Sequence, residues 1–345
     1  MEDLGDASQT WQVHHQDFNS ILGSSPGIEL LLQVDEYPFA HEAGVFFPHA
    51  NELFITSNQF RCQTDEKRVQ ISKVSLGDGT EPVKLENIDC DLIHFANGGV
   101  NYKDGILFCA QGSETSPSGL FHMQASPPYI TKPVLTSYLG KPFNSVNDVV
   151  VHDDGSIWFT DPSYGHDQGY RPRPSLPNQV YRYGPSTESI RAVADGFGRP
   201  NGICFSPDQK TVYITDTDQV RGPWIDHSRA ASIYAFDVIH HHGQPFLANR
   251  RLFAYCDSGI PDGIKCDTIG NVYSGCPDGI NVWSSSGILL GKVVIPGGVA
   301  NFCFGVSGQI LALNEHRLWR VRLDPSVRGA LLAAWNNDLS AFFLE

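Results

Sequence analysis

The chain reads as short apolar runs separated by polar turns. Residues 147–161 run N-D-V-V-V-H-D-D-G-S-I-W-F-T-D: an oxygen-bearing pair, three valines, an Asp-Asp-Gly turn and a second apolar run. Apolar runs of this length, bounded by turn residues, predict a strand-turn-strand unit. Asn147 and Asp148 have poor strand propensity, yet they open it. The same order returns at Glu42 (E-A-G-V-F-F-P-H-A-N-E-L-F-I-T-S) and at Asn97 (N-G-G-V-N-Y-K-D-G-I-L-F-C-A). It returns again at Asn201 (N-G-I-C-F-S-P-D-Q-K-T-V-Y-I-T-D), Asp262 (D-G-I-K-C-D-T-I-G-N-V-Y-S-G) and Asn301 (N-F-C-F-G-V-S-G-Q-I-L-A-L-N). Further strand candidates, such as Gln179-Val-Tyr-Arg-Tyr and Ser232-Ile-Tyr-Ala-Phe, lie between the copies, and helical periodicity is scarce.

The copies open 39 to 61 residues apart, which suits propeller blades of about 40 to 50 residues. Six copies predict an all-β fold: a six-bladed β-propeller with a central channel, forming one domain over residues 28–330. Ile28-Glu-Leu-Leu-Leu-Gln precedes the first copy and is expected to add a strand to the last blade, closing the ring. Residues 1–27 read as a polar extension, and residues 331–345 as a tail that packs down or docks a partner.

The first strand of each blade runs beside the channel, so equivalent openers form a ring at its mouth. That ring is Glu42, Asn97, Asn147, Asn201, Asp262 and Asn301, all oxygen-bearing and two of them carboxylates. One such residue alone would be explained by turn chemistry, because Asn and Asp cap their own backbone. Six in phase point to a hard cation such as Ca²⁺, which takes about six to eight oxygen ligands.

Composition narrows the partners. A net charge of −14 argues against nucleic acid and anionic membranes. Residues 1–27 hold no apolar signal-peptide core, and no run approaches the length of a membrane span. Eight cysteines without a C-x-x-C pair read as reduced core thiols of a cytoplasmic protein. Oligomeric state is not legible. The Gly-Ser-Ser-Pro-Gly at 23–27 fails as a nucleophile elbow, since no apolar strand precedes it and Pro26 lacks the N–H an oxyanion hole would use. His240-His241-His242 reads as a solvated loop.

Three stretches carry a family resemblance: SVNDVVVHDDGSIWFTDPSYG, GRPNGICFSPDQKTVYITDT and IPDGIKCDTIGNVYSG. They resemble the gluconolactonase, senescence-marker-protein and luciferin-regenerating-enzyme-like family of six-bladed propellers, and the likeness runs over roughly residues 30–325. The resemblance implies a catalytic divalent ion, usually Ca²⁺ with other divalent metals as alternatives, held by Glu42, Asn147, Asn201 and Asp262. Where the family commonly has Glu-Gly-Pro, this chain has Glu42-Ala43-Gly44. A weaker similarity to calcium-dependent phosphotriesterase propellers implies a catalytic role for His316.

The chemistry expected of such a site is hydrolysis of a small-molecule lactone or related ester, with the metal polarising the carbonyl and Asp262 assisting attack by water. Asn97, Asn301, His41 and Tyr164 are expected to contact substrate. Asp161 and Asp216, which end second strands, read as turn caps. Residues 163–178 and 217–230, the second holding Trp224 and His227, are lid candidates. Two other functions fit the same pocket. One is non-hydrolytic cyclisation, condensation or isomerisation of a natural-product precursor, within secondary metabolism; the other is a non-catalytic interaction propeller.

Overall fold

The computed structural model describes residues 10–62, 65–77 and 81–335. Its larger sheets are six blades, each an antiparallel meander, and the propeller expected from the repeat is the fold observed. The inner strands are Glu42–Phe47, Ala96–Tyr102, Val149–Val151, Pro200–Phe205, Ile264–Cys266 and Asn301–Phe304, for blades 1 to 6. Each touches the next, and the last touches the first, so they enclose the channel.

The core is divided into six apolar clusters, one between each pair of neighbouring blades. Blade 3 shows why. Val149, Ile157 and Phe159 face blade 2, while Val150 and Trp158 face blade 4. Side chains alternate along a strand, so a blade packed on both sides needs apolar residues at consecutive positions. This is why the runs in the sequence are continuous and not alternating.

Blade 6 takes its outer strand from the other end of the chain. Gly27–Gln33 pairs antiparallel with Arg317–Arg322, which closes the ring as expected. The segment before residue 28 joins the propeller as well. Trp11–Val13 pairs with Leu289–Val294 as a fifth strand of blade 5. The short helix Phe18–Leu22 buries Phe18, Ile21 and Leu22 between blades 5 and 6.

The segment after blade 6 crosses the lower mouth of the channel. Gly329 bridges Asp267, the Thr268 N–H donates to the Arg328 carbonyl at 2.8 Å, and residues 330–335 turn helically. Trp335 meets the Phe47 ring edge-on. Residues 336–345, the remainder of the expected tail, lie outside the described residues. All eight cysteines are free thiols, and six of them are buried.

Candidate metal centre

Two repeated devices fix the openers. Near the end of its second strand, blade 3 places Asp161, whose carboxylate accepts the N–H groups of Asn144 and Ser145 at 2.9 and 2.8 Å. Blade 4 repeats this with Asp216, which accepts from Gly198 and Arg199 at 2.9 and 2.8 Å. Both aspartates therefore cap the segment entering their own blade, as their position in the sequence suggests. The second device crosses blades: Thr56, Thr160 and Thr215 donate their hydroxyls to the backbone carbonyls of Asn97, Asn201 and Asp262 at 3.0, 2.6 and 3.0 Å. A threonine of one blade thus holds the opener of the next.

The openers meet through their side chains. Asn97 Nδ2 donates to Asn147 Oδ1 at 3.1 Å, and Asn147 Nδ2 to Asn201 Oδ1 at 2.8 Å. Asn301 Nδ2 donates to Glu42 Oε2 at 2.6 Å. Asn201 Nδ2 reaches the Tyr164 hydroxyl at 3.1 Å, and that hydroxyl also pairs with Thr217 Oγ1. Glu42 is presented by a bulge in blade 1 at which Ala43 and Gly44 both adopt left-handed φ, +65° and +71°. Such a bulge re-aims the side chain beside it, and the alanine bears a cost of about 1–2 kcal/mol for the conformation.

Electrostatics make the site unusual for a channel wall. Burial, then the Asp262 charge, pushes the Glu42 carboxyl up to about 8. Asp262 is pushed up to about 6, again by burial, with the neighbouring His41 opposing. Burial opposes the protonation of His41, but Glu315, with Glu42 and Asp262, outweighs it and raises the imidazole to about 9; His41 and Glu315 meet at 2.8 Å. Asp262 Oδ1 is buried and has no hydrogen-bond partner. A buried carboxylate oxygen without a partner is costly, and a cation would satisfy it. Among the described residues no three His, Cys, Asp or Glu side chains converge as a metal site. An ion here would depend on amide as well as carboxylate oxygens, which fits a hard ion and not a soft one. Glu42, Asn147, Asn201 and Asp262 fit that requirement.

The remaining expected residues separate. Tyr164, on the helix Tyr164–Asp167, reaches the ring. His41 stands beside it, half-buried. Asn97 and Asn301 brace their neighbours; the Asn301 carbonyl oxygen accepts from the Phe302 N–H at 2.8 Å and from Lys265 Nζ at 3.4 Å. His316 is exposed, and its Nδ1 bonds the Val34 carbonyl at 2.8 Å; no hydrogen bond joins it to the ring among the described residues. Its neighbour Glu315 makes the inward contact, to His41 and to Asn58 Nδ2 at 3.2 Å. Trp224 is 76 % exposed on a two-stranded hairpin over 220–225. The loops of blades 1 and 3 meet where Gln59 and Lys67 donate to Gln168.

Sequence reasoning gave no role to Asp148, Gln111, Glu315 or Arg171. The Asp148 carboxylate accepts from the N–H groups of Val149 and Ile203, stitching blade 3 to blade 4. Asp148 does open a strand beside Asn147, and that was its signal. Gln111 donates to Asn147 Oδ1 at 3.3 Å; it stands at the repeat position that Asp161 and Asp216 fill in blades 3 and 4, but as an amide.

A six-bladed propeller whose oxygen-lined, acidic ring stands at the channel mouth defines a class of β-propeller enzymes. The sequence matches the SMP-30/gluconolactonase/LRE-like region over residues 36–312, and the chain belongs to that family of enzymes. It is 30 % identical over 325 residues to lactonohydrolase oryL of Aspergillus oryzae, an alignment covering 88 % of this chain and 72 % of the relative. It is 33 % identical over 208 residues to a gluconolactonase of Zymomonas mobilis, covering 55 % and 53 %. Among solved structures, a gluconolactonase of Xanthomonas campestris is similar, with TM-score 0.71 and 27 % identity over 91 % of this chain and 95 % of that one. Regucalcin of Agrobacterium tumefaciens, a calcium-binding protein, shares the fold at TM-score 0.58 and 15 % identity, covering 90 % and 94 %.

Proposed function

We propose that this chain is a divalent-metal-dependent lactone hydrolase, with Ca²⁺ held by Glu42, Asn147, Asn201 and Asp262. The observation that carries the reading is the unpartnered, buried Asp262 Oδ1 in a ring whose other carboxylate, Glu42, is also buried. Family membership and the lactonase relatives support hydrolysis over the non-hydrolytic and scaffold alternatives. When bound, the ion would supply Lewis-acid polarisation of the lactone carbonyl.

The chain's own residues supply the rest. Asp262 is the carboxylate that takes the proton of the attacking water. The Tyr164 hydroxyl, fixed by Asn201 and Thr217, offers a polar contact at the mouth for the ring oxygens of a lactone. The His41 imidazolium, paired with Glu315, keeps a positive charge beside the carboxylates and lowers the barrier to anionic substrate groups. The substrate is a small molecule.

The test is metal content of the purified protein together with lactone hydrolysis before and after chelation. Expected are about one tightly held Ca²⁺ per chain, loss of activity on chelation and recovery on readdition. Hydrolysis unaffected by complete metal removal would refute the reading. Full activity of Asp262→Asn with metal still bound would remove Asp262 as the base.

A further inference from the structure

Besides the His41 imidazolium, the channel wall carries a lysine. Lys265 stands on the inner strand of blade 5, three residues beyond Asp262, and is half-buried. Its Nζ donates to Asn301 Oδ1 at 3.4 Å, and among the described residues it makes no ion pair. Asn301 does not need it. The Phe302 N–H already fixes Asn301 Oδ1 at 2.8 Å, which turns Nδ2 toward Glu42. The blade 5 backbone also lies close beneath Asn301, since a Cβ on Gly263 would meet Asn301 Cγ at 2.3 Å. What Lys265 adds is therefore charge, not position.

Lys265 stands between the acidic ring and a cavity whose wall also carries Lys103, Asp104 and Asp153. Toward the ring stand the carboxylates of Glu42, Asp148 and Asp262, and the His41–Glu315 pair. Asp148 feels Lys265 directly: burial raises its carboxyl, and the ammonium opposes that rise. Toward the lower mouth, Lys265 borders a cavity of ≈ 920 Å³ whose walls include Val100, Val149, Ile203, Cys266 and Leu331. In such apolar surroundings charges act on one another more strongly than in water.

We propose that Lys265 is a built-in counter-cation of the acidic mouth, steadying it when empty and lowering its affinity for a divalent ion. The inference rests on the reading that the ring takes Ca²⁺. It predicts effects of opposite sign, whereas loss of a merely structural residue would weaken both folding and ion binding.

The experiment is calorimetric titration of CaCl₂ into chelator-treated wild type, Lys265→Met and Lys265→Arg, with the Tm of each metal-free protein. Lys265→Met is expected to bind Ca²⁺ about tenfold more tightly, while its metal-free Tm falls. Lys265→Arg keeps the charge and should keep wild-type affinity. Lys265→Gln, neutral and polar, gives the same comparison if the methionine variant does not fold. Wild type that binds, with neutral variants that bind equally or more weakly, would overturn the inference and leave the metal reading standing. Binding by the neutral variants alone would support it. No binding by any variant would overturn both.

Discussion

Asn301 Nδ2 lies 2.6 Å from Glu42 Oε2, and this hydrogen bond joins the last blade of the propeller to the first. It sits where the ring of openers closes. Removing the acceptor or the charge on either side of the ring should therefore act on ion binding before it acts on the fold. Glu42→Gln and Asp262→Asn are each expected to lose bound Ca²⁺ at purification, read by elemental analysis. Far-UV circular dichroism should keep the strand signature. Retention of stoichiometric metal by Glu42→Gln would remove Glu42 from the ligand set.

The acidity of the ring gives a pH dependence of definite sign. Without an ion, Glu42 and Asp262 hold protons to about 8 and about 6, well above ordinary carboxylates. The folded chain then binds more protons than the unfolded chain, so this contribution to stability is full at low pH and is lost as pH rises through those values. The metal-free Tm is expected to fall between roughly pH 5 and 8 through this term. Saturating Ca²⁺ should flatten the fall. Ion binding must also expel protons, so affinity should rise over the same range, with proton release measurable by calorimetry in buffers of different ionisation enthalpy.

Tyr164→Phe keeps the ring and deletes the hydroxyl that Asn201 and Thr217 share. We expect kcat/KM to fall about tenfold, the equivalent of one hydrogen bond, with Tm nearly unchanged. An equal loss in Tm and activity would place the tyrosine in the scaffold alone.

Asp161→Asn tests the cap of blade 3. Asn144 and Ser145 donate to different carboxylate oxygens, so an amide leaves one of these N–H groups facing the new NH₂. The expected cost is about 1–3 kcal/mol in denaturant unfolding. Asp216→Asn should repeat it in blade 4, where Gly198 and Arg199 are the donors.

Arg171→Lys addresses a guanidinium that donates to the carbonyls of Ser113, Ser116, Phe143 and Asn144. A lysine cannot reproduce that fork. Destabilisation of at least about 2 kcal/mol is expected, because buried carbonyls lose their donors.

Much of this molecule was legible because a propeller repeats. The openers stand at one phase of each copy, so Asn147 and Asp262 could be recognised as partners across 115 residues of chain. Ring closure by residues 27–33 was legible for the same reason, since the last copy lacks a strand. What did not repeat was lost. Arg171 acts from a loop peculiar to blade 3 and carries no pattern, and Gln111 puts an amide where blades 3 and 4 have Asp161 and Asp216. Glu315 and His316 form the tight turn between Gln309–Asn314 and Arg317–Arg322, so the sequence placed a polar pair at the rim but not which side chain turns inward. The polar run before residue 28 hid Phe18, Ile21 and Leu22, whose spacing is helical but spans barely one turn.

The pairing of Gly27–Gln33 with Arg317–Arg322 also sets an order in time. A ribosome adding about 5–20 residues per second needs roughly 15–60 s between these two strands. Blades 2 to 4 can form as they emerge, but blades 1 and 6 cannot be brought together until the final strand is out. Glu42 and Asn301 belong to those two blades, so a nascent chain carries the acidic residues early yet gathers them last. Any catalyst made from them begins work only when synthesis of the ring is over.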